Sequence, residues 1–317
     1  MNVQDIFNAM ADEYDQLSDL WYSWLFSRLH YFIASKILNN SYPKKILDIG
    51  CGTGFQSFLY ASAGCDVYGI DIANKIIEKA KRKINIFNPE ELILFPEYFD
   101  YVKRYNNLIR NCIKKNYEKG NYLPPKFLIG NAMNLSYKDE EFDHINCCGS
   151  TLSYVPDHKK TISEISRVLK PNGTFLIEVE NRWSFNIFWY VLDPFLKGKL
   201  EFNKDYTSVF KFLKKKPTQN IWIRFPFGEY DAPVNMKLKL FTSYSLKRDL
   251  MMFGLRLEKK WAIHSITSLI PCTFLDNLNP SKKLINRFKF LANLEERLLF
   301  RIPGSSLVIY GKKVEKI

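Results

Sequence analysis

The stretch ILDIGCGTG, residues 46–54, joins a short apolar run directly to three glycines at alternate positions. The apolar run predicts a strand over Lys45–Ile49, and the pattern after the glycines predicts a helix from Phe55. Glycines suit such a turn because the backbone can bend tightly and approach a ligand with no Cβ in the way. The dinucleotide fingerprint G-x-G-x-x-G would place a glycine at position 55, so the phenylalanine there disfavours NAD.

The second strand of the sequence ends in a carboxylate. Val67–Ile70 predicts this strand, and Asp71 follows it, seventeen residues after Gly54. In a doubly wound sheet, an acidic residue at this place can accept hydrogen bonds from the hydroxyls of a ribose. The same carboxylate could instead cap the helix that follows. We interpret Asp71 as a ribose ligand and group the adjacent Ile72 with it.

Beyond these elements, strands and helices alternate along the chain. The predicted later strands are 127–129, 142–148, 174–179, 255–263 and 306–311. Helical spacing predicts helices between them, including an amphipathic helix over residues 283–301. Such alternation is typical of an α/β fold with a doubly wound, mostly parallel sheet and helices on both faces.

The chain divides into a core with additions. The predicted parts are an N-terminal helical cap (1–43), a core (44–181) with a helical insertion (85–126), an aromatic-rich insertion (182–240) and the end of the core sheet (241–317). Both insertions are longer than ordinary strand–helix connections. The second is predicted to form a lid over the substrate, and its aromatics favour an apolar or ring-containing ligand. The same aromatics could simply pack the insertion onto the core.

Five motifs in a fixed order carry a family resemblance. They are LDIGCGTG (47–54), GID (69–71), GNA (130–132), FDHINCCGSTLSYV (142–155) and ISEISRVLKPNGTFLIE (162–178). In this order they resemble the class I S-adenosylmethionine-dependent methyltransferases, over residues 44–181 and on to the C-terminus through the last strands. The resemblance implies a Rossmann-like sheet of seven strands with one antiparallel strand. It also implies S-adenosylmethionine as cofactor and S-adenosylhomocysteine as product.

The resemblance and the strand ends together give a set of candidate cofactor-binding residues. They are Tyr14, Asp48, Gly50, Cys51, Gly52, Gly54, Asp71, Ile72, Asn131, Ala132, Gly149 and Ser150. Three of these residues have a second interpretation that the sequence leaves open. Asp48 could brace the glycine turn, Asn131 could be an ordinary turn residue, and Tyr14 could pack in the core instead of covering the cofactor.

Two histidines are candidate catalytic bases. His264 follows the predicted strand 255–263, and His158 lies shortly after the fourth predicted strand, 142–148. Both suit the role because histidine titrates near neutral pH. A structural role is the alternative for each. Glu180 and Asn181, at the end of the fifth strand, are positional candidates for the acceptor side.

The composition bears on partners and location. The formal net charge of +13 suits nucleic acid, an anionic membrane surface or an acidic substrate, or it reflects a bias toward lysine. The six cysteines form no C-x-x-C pair, and no Cys/His spacing predicts a metal site. The start of the chain has no signal-peptide pattern, and no apolar run reaches the roughly 20 residues of a spanning helix. We therefore expect a cytoplasmic protein, with peripheral membrane contact through the basic helix 283–301 as an open alternative to simple docking on the sheet.

The favoured function is methyl transfer from S-adenosylmethionine to a small or lipid-like, apolar or ring-containing acceptor. Methylation of RNA or another nucleic acid is an alternative that would use the basic charge. It is disfavoured because STLSYV (150–155) follows the fourth strand, where amino-methylating members have a tetrad resembling N-P-P-Y. A non-catalytic S-adenosylmethionine-binding protein is the second alternative.

Overall fold

The computed structural model describes most of the chain. The described residues are 2–12, 14–15, 20–38, 45–88, 100–117, 122–202, 205–227, 234–275, 280–297 and 303–314. The predicted boundary at residue 43 and parts of the predicted segments 85–126 and 283–301 lie outside the described residues.

The sheet that carries the site has seven strands. The strands of the chain are β1 (Lys45–Ile49), β2 (Asp66–Asp71), β3 (Lys126–Ile129), β4 (Phe142–Cys147), β5 (Leu169–Glu180), β6 (Ile221–Phe227), β7 (Val234–Leu240), β8 (Leu255–Ile263) and β9 (Ser306–Lys313). The order in the main sheet is β3-β2-β1-β4-β5-β9-β8, while β6 and β7 form a separate antiparallel pair. Strand β9 runs antiparallel to both β5 and β8, and the other neighbours in the main sheet are parallel. The predicted seven-stranded sheet with one antiparallel strand is confirmed.

Helices cover both faces of this sheet. They are α1 (Val3–Ala9), α2 (Leu20–Phe32), α3 (Phe55–Ser62), α4 (Asn74–Asn85), α5 (Asp100–Tyr117), α6 (Thr151–Tyr154), α7 (His158–Val168), α8 (Phe185–Leu192), α9 (Tyr206–Leu213), α10 (Ser243–Met252), α11 (Cys272–Leu275) and α12 (Lys282–Arg297). One apolar cluster packs residues of α2, α3, α5 and α12 together. A second packs α7 and α10 against the other sheet residues. Two buried layers are what a doubly wound sheet requires.

Helix α7 ends before the run Pro171-Asn172-Gly173, whose residues normally terminate a helix. The helix already ends at Val168, and β5 begins at Leu169. The pairing of β4 with β5 shifts between Phe142 and His144, so residues 170–173 form an irregularity within the strand. Proline donates no ladder hydrogen bond and Asn172 has a positive φ of 60°, which explains why these residues bulge out of the register.

The aromatic-rich insertion is held to the end of β5 by Arg182. This buried guanidinium donates hydrogen bonds to the carbonyl oxygens of Phe212, Lys215, Lys216 and Gln219, at 2.6–3.5 Å. The insertion contains the helices α8 and α9 and the hairpin of β6 and β7. Its own apolar cluster includes Ile187, Tyr190 and Leu240. Within the described residues, none of the helices combines the length and apolar character that crossing a membrane requires.

Candidate active site

A cleft lies across the carboxyl ends of β1 to β4, where the strand order reverses between β1 and β4. Ligands of open α/β sheets bind at this switch point. The cleft encloses about 710 Å³ of space, including the part open to solvent. It is lined by Val3, Phe7, Tyr14, Ile49, Gly50, Ile70, Asp71, Ile72, Gly130, Asn131, Ala132, Met133, Gly149, Thr151, Tyr154, Val155 and Pro156.

The glycine turn borders the cleft through Gly50. Its φ is +68°, and a Cβ added there would sit 2.1 Å from the hydroxyl oxygen of Thr151. Only glycine fits this close approach without strain. Glycine is required at position 54 for a different reason: a Cβ added there would lie 2.6 Å from the ring of Phe127, inside the core. Gly52 faces the hydroxyl of Tyr14.

Asp71 connects the cleft to the glycine turn. One carboxylate oxygen accepts a hydrogen bond from the Gly52 N–H at 3.1 Å, and the other accepts one from the Ala73 N–H at 2.9 Å. Burial raises the pKa of Asp71, against the lowering effect of these backbone donors. Each oxygen keeps a second lone pair, so the carboxylate can also accept hydrogen bonds from a diol in the cleft. Helix α4 is capped at Ala73 without a side-chain hydrogen bond, so Asp71 is not its N-cap.

Asp48 lies behind the turn, not in the lining of the cleft. Its carboxylate is buried and accepts hydrogen bonds from Ser57 Oγ at 2.6 Å and Asn146 Nδ2 at 2.7 Å. Burial raises the pKa of Asp48 to about 6, although both donors lower it. Its contacts tie β1 to α3 and β4, which favours the bracing interpretation of Asp48.

The third and fourth strands contribute backbone to the cleft. Asn131, Ala132 and Gly149, three of the candidate cofactor-binding residues, line it. However, Asn131 Oδ1 accepts a hydrogen bond from the Met133 N–H at 2.9 Å, the geometry of an asparagine turn. Cys51 and Ser150 do not line the cleft: the Cys51 thiol packs in a buried cluster with Phe58 and Phe127. These placements do not match the roles in cofactor binding that the sequence predicts for the two residues.

The N-terminal segment closes one side of the cleft. Asp15 accepts hydrogen bonds from Thr53 Oγ1 at 2.5 Å and Lys83 Nζ at 2.7 Å, and it pairs with Lys79 at 3.3 Å. These contacts hold the adjacent Tyr14 beside Gly52. Burial, together with the nearby charge of Asp71, raises the pKa of Tyr14, so its phenol stays neutral. The sequence pattern indicates Tyr14 as a site residue but not Asp15, Val3 or Phe7. Val3 and Phe7 are spaced i, i+4 on α1, and this spacing is the available signal for them.

Ser150 instead joins two carboxyl groups at the end of β5. The Ser150 N–H donates to Glu178 Oε2 at 2.5 Å, and its hydroxyl donates to Glu180 Oε1 at 2.8 Å. Burial raises the pKa of Glu178, and burial together with the charge of Glu178 raises the pKa of Glu180 to about 8. The pair therefore holds a proton at neutral pH. Ser150 has a positive φ of 59°, so its backbone adopts the strained left-handed conformation in this arrangement.

Replacing Glu180 with glutamine should change how stability depends on pH. Native Glu180 keeps its proton up to about pH 8, whereas an unfolded glutamate releases it near pH 4.3. Between these values the unfolded state binds fewer protons, so the wild-type free energy of unfolding falls as pH rises. Glutamine does not titrate. Urea unfolding should therefore show Glu180→Gln gaining about 3–4 kcal/mol relative to wild type between pH 5 and pH 8.

The exposed Glu140, which pairs with Lys313 at the surface, provides the control for loss of one carboxylate, as Glu140→Gln. Parallel pH profiles for wild type and Glu180→Gln would show that Glu180 does not hold its proton in the native state.

The structure does not bring the two candidate histidines into the lining of the cleft. His264 is fully buried, stacks on Trp21 with ring centroids 3.4 Å apart, and has Nδ1 2.9 Å from Thr267 Oγ1. Burial lowers its pKa to about 3. His158 bridges Asp249, 2.9 Å from Nε2, and Lys239, 2.7 Å from Nδ1, and burial lowers its pKa. Both have the surroundings of structural histidines.

Fold and cleft together define a class of protein. The glycine turn borders the cleft at Gly50, the carboxylate of Asp71 faces it with free lone pairs, and Asn131 and Ala132 line it at the end of the neighbouring strand. These residues fit S-adenosylmethionine in the places that the motifs predict. Among the described residues, no group of three or more His, Cys, Asp or Glu side chains is placed to hold a metal ion.

Comparisons with known proteins agree with this class. The methyltransferase domain family matches residues 24–260. A demethylmenaquinone methyltransferase from Lactococcus lactis is 30% identical over 216 residues, covering 62% of this chain and 68% of that protein. A demethylmenaquinone methyltransferase from Staphylococcus saprophyticus is 24% identical over 255 residues, covering 76% and 91%. The crystal structure of a SAM-dependent methyltransferase from Methanosarcina mazei has the same fold, with a TM-score of 0.51, 21% identity and coverage of 89% and 98%.

The chain belongs to the methyltransferase domain family. It is a class I S-adenosylmethionine-dependent methyltransferase, and S-adenosylmethionine is its cofactor.

Proposed function

We propose that the enzyme methylates a small, apolar, ring-containing acceptor of the quinol type. Two of its relatives are named for methylation of demethylmenaquinone. The observation that carries the proposal is the position of Tyr154. This residue lines the cleft and also packs against the apolar cluster of the aromatic-rich insertion. An apolar ring that enters from the insertion would therefore meet the cofactor cleft at Tyr154.

The chain's own residues supply binding, orientation and exclusion of water. S-adenosylmethionine, when bound, supplies a methyl group on a positively charged sulfur. Gly50 and Asp71 would hold it, with Asn131 and Ala132 at the far end of the cleft. Phe7 packs edge-to-face on Tyr154, with ring centroids 5.7 Å apart, and narrows the opening. Holding an acceptor in line in such a dry site lowers the entropic part of the barrier.

The groups proposed to hydrogen-bond to the acceptor's oxygen lie at Tyr154, and His264 and His158 are not among them. Burial raises the pKa of Tyr154, followed by the charges of Glu180 and Glu178, so its hydroxyl stays neutral. The carboxyl pair of Glu178 and Glu180 lies next to it and holds a proton. A neutral phenol and a protonated carboxyl group can both hydrogen-bond to a hydroxyl or carbonyl oxygen on a ring.

The test is methyl transfer to acceptors of different chemistry. The purified chain is incubated with S-adenosylmethionine and, in separate reactions, a short-chain demethylated naphthoquinol, a catechol and an RNA pool. Mass spectrometry should show one added methyl on the quinol and an equal amount of S-adenosylhomocysteine. Transfer to RNA alone would replace this proposal with the nucleic-acid alternative. Cofactor binding with transfer to none of the three would favour a non-catalytic role.

We further propose that the enzyme is cytoplasmic and collects a lipid-like acceptor at a membrane surface. Helix α12 supports this, since Lys282, Lys283 and Arg287 surround a shallow groove with Phe290, which is 69% exposed. Cations beside an exposed aromatic suit the headgroup region of a bilayer that contains anionic lipid.

A further inference from the structure

Helix α9 exposes an apolar stripe to solvent. Tyr206, Phe210 and Leu213 follow one another at i, i+4 and i+7, and they are 46%, 59% and 62% exposed. The other side of the helix packs inward, where Val209 is buried and Phe212 contacts the insertion's cluster. A surface helix normally turns its apolar stripe to the core. Here both sides are apolar, so the outer stripe is available to a partner.

The stripe continues onto the neighbouring segment. The Phe195 ring lies edge-on to Tyr206, with centroids 5.3 Å apart, and the Tyr206 hydroxyl donates to the Pro194 carbonyl at 2.7 Å. Helix α8, which precedes Phe195 in the chain, adds two further exposed rings, Phe185 and Phe188. The aromatic face consists of Phe185, Phe188, Phe195, Tyr206, Phe210 and Leu213, each 37–62% exposed. Soluble proteins rarely expose so many large apolar side chains together without a binding role.

Lysines dominate the charge around the aromatic face. Residues 194–216 contain seven lysines and two acidic residues, Glu201 and Asp205. The exposed lysines are Lys197, Lys199, Lys211, Lys214, Lys215 and Lys216. In a two-fold interface with a second copy of the same chain, these lysines would face the same lysines of the other copy. The repulsion between like charges disfavours self-association through this face. An anionic surface complements them.

We infer that the aromatic face seats the enzyme on a bilayer containing anionic phospholipid. This inference rests on the proposed collection of the acceptor at a membrane, and it assigns the main contact to the aromatic face and not to α12. Aromatic side chains enter the headgroup region, while the lysines contact the lipid phosphates. The inner side of the same insertion reaches Tyr154 at the cleft. An apolar acceptor dissolved in the bilayer therefore enters through the insertion without crossing bulk water.

The experiment is co-flotation of the full chain with vesicles. One set is pure phosphatidylcholine, and the other contains about one quarter phosphatidylglycerol. Wild type should float with the anionic set, and added salt should weaken the binding. Phe195→Ser/Phe210→Ser should lower the partition coefficient at least about tenfold, because two exposed rings no longer enter the interface. The matched control is Tyr244→Ser/Met251→Ser on α10, where the side chains are 64% and 59% exposed; it should bind as wild type does.

Three outcomes would overturn the inference. Wild type could fail to float with anionic vesicles, the Phe195→Ser/Phe210→Ser variant could bind as tightly as wild type, or Phe290→Ser alone could abolish binding, which would place the contact on α12. A dimer in size-exclusion chromatography that dissociates only in the Phe195→Ser/Phe210→Ser variant would instead assign the face to self-association. Transfer to a water-soluble quinol tests the proposed function separately, and all variants should retain it.

Discussion

Replacing Asp71 with alanine is expected to weaken binding of S-adenosylmethionine by about ten- to a hundredfold. The carboxylate lines the cleft and accepts hydrogen bonds from the N–H groups of Gly52 and Ala73. Hydrogen bonds to a charged group contribute about 1.5–3 kcal/mol, and every 1.4 kcal/mol corresponds to about a tenfold change in affinity. The alanine variant loses the carboxylate that would accept hydrogen bonds from the ribose hydroxyls. At the same time, the Gly52 N–H in the glycine turn loses its hydrogen-bond partner. Isothermal titration with S-adenosylmethionine and S-adenosylhomocysteine measures the loss directly.

Two variants separate the causes of this effect. Asp71→Asn retains the size of the side chain but only one oxygen acceptor, so its affinity should lie between those of Asp71→Ala and wild type. Asp66→Ala, at the other end of β2, breaks only an exposed pair with Lys126 and should bind the cofactor normally. If Asp71→Ala bound within about twofold of wild type while remaining folded, Asp71 would not be the ribose ligand.

The main sheet follows closely from local sequence signals. The strands predicted at Lys45–Ile49 and Leu255–Ile263 have the bounds observed in the structure. Lys45–Ile49 has the short, mostly apolar run that is typical of a buried parallel strand. The start of β5 at residues 169–173 was harder to predict, since Pro171 and Gly173 normally end a helix or strand. Pairing with β4 and β9 absorbs them as an irregularity of β5.

The cofactor side of the site was predictable where it depends on backbone. Gly50, Asp71, Ala132 and Gly149 line the cleft because motif position fixes which strand end they occupy. Side-chain direction is not fixed in this way. Ser150 follows Gly149 in the chain, but its hydroxyl turns to Glu178 and Glu180, whose distance from it in sequence is 28 and 30 residues. No local pattern reveals such a contact.

The acceptor side depends on contacts between distant segments. The pairing of Asp15 with Lys83 spans 68 residues. The exposure of Phe210 also depends on how α9 packs, because its sequence pattern alone resembles that of a buried helix. His264 illustrates the same limit: a histidine at a strand end suggests catalysis, but its burial and its contacts favour a structural role. The backbone N–H of His264 donates to Glu295, whose carboxylate holds the loop after β8 in place.

Replacing Glu295 with alanine is expected to lower the free energy of unfolding by about 3–5 kcal/mol. This buried carboxylate on α12 accepts hydrogen bonds from the N–H groups of His264, Ile266 and Thr267 at 2.9–3.0 Å. It also accepts them from Thr267 Oγ1 at 2.9 Å and Trp24 Nε1 at 3.2 Å. Alanine would leave three buried backbone donors unsatisfied, and it would disconnect α2, α12 and the loop that follows β8.

The adjacent glutamate provides the matched control in urea unfolding. Glu296 lies next to Glu295 on α12 but pairs with Arg104 at the surface, so Glu296→Ala should cost less than about 1 kcal/mol. Both variants lose the same number of atoms and the same charge from the same helix. A large difference between them therefore measures the buried hydrogen bonds and not helix propensity or net charge. If the two variants unfolded at the same urea concentration, the loop after β8 would be held mainly by its apolar contacts, such as the stacking of His264 on Trp21.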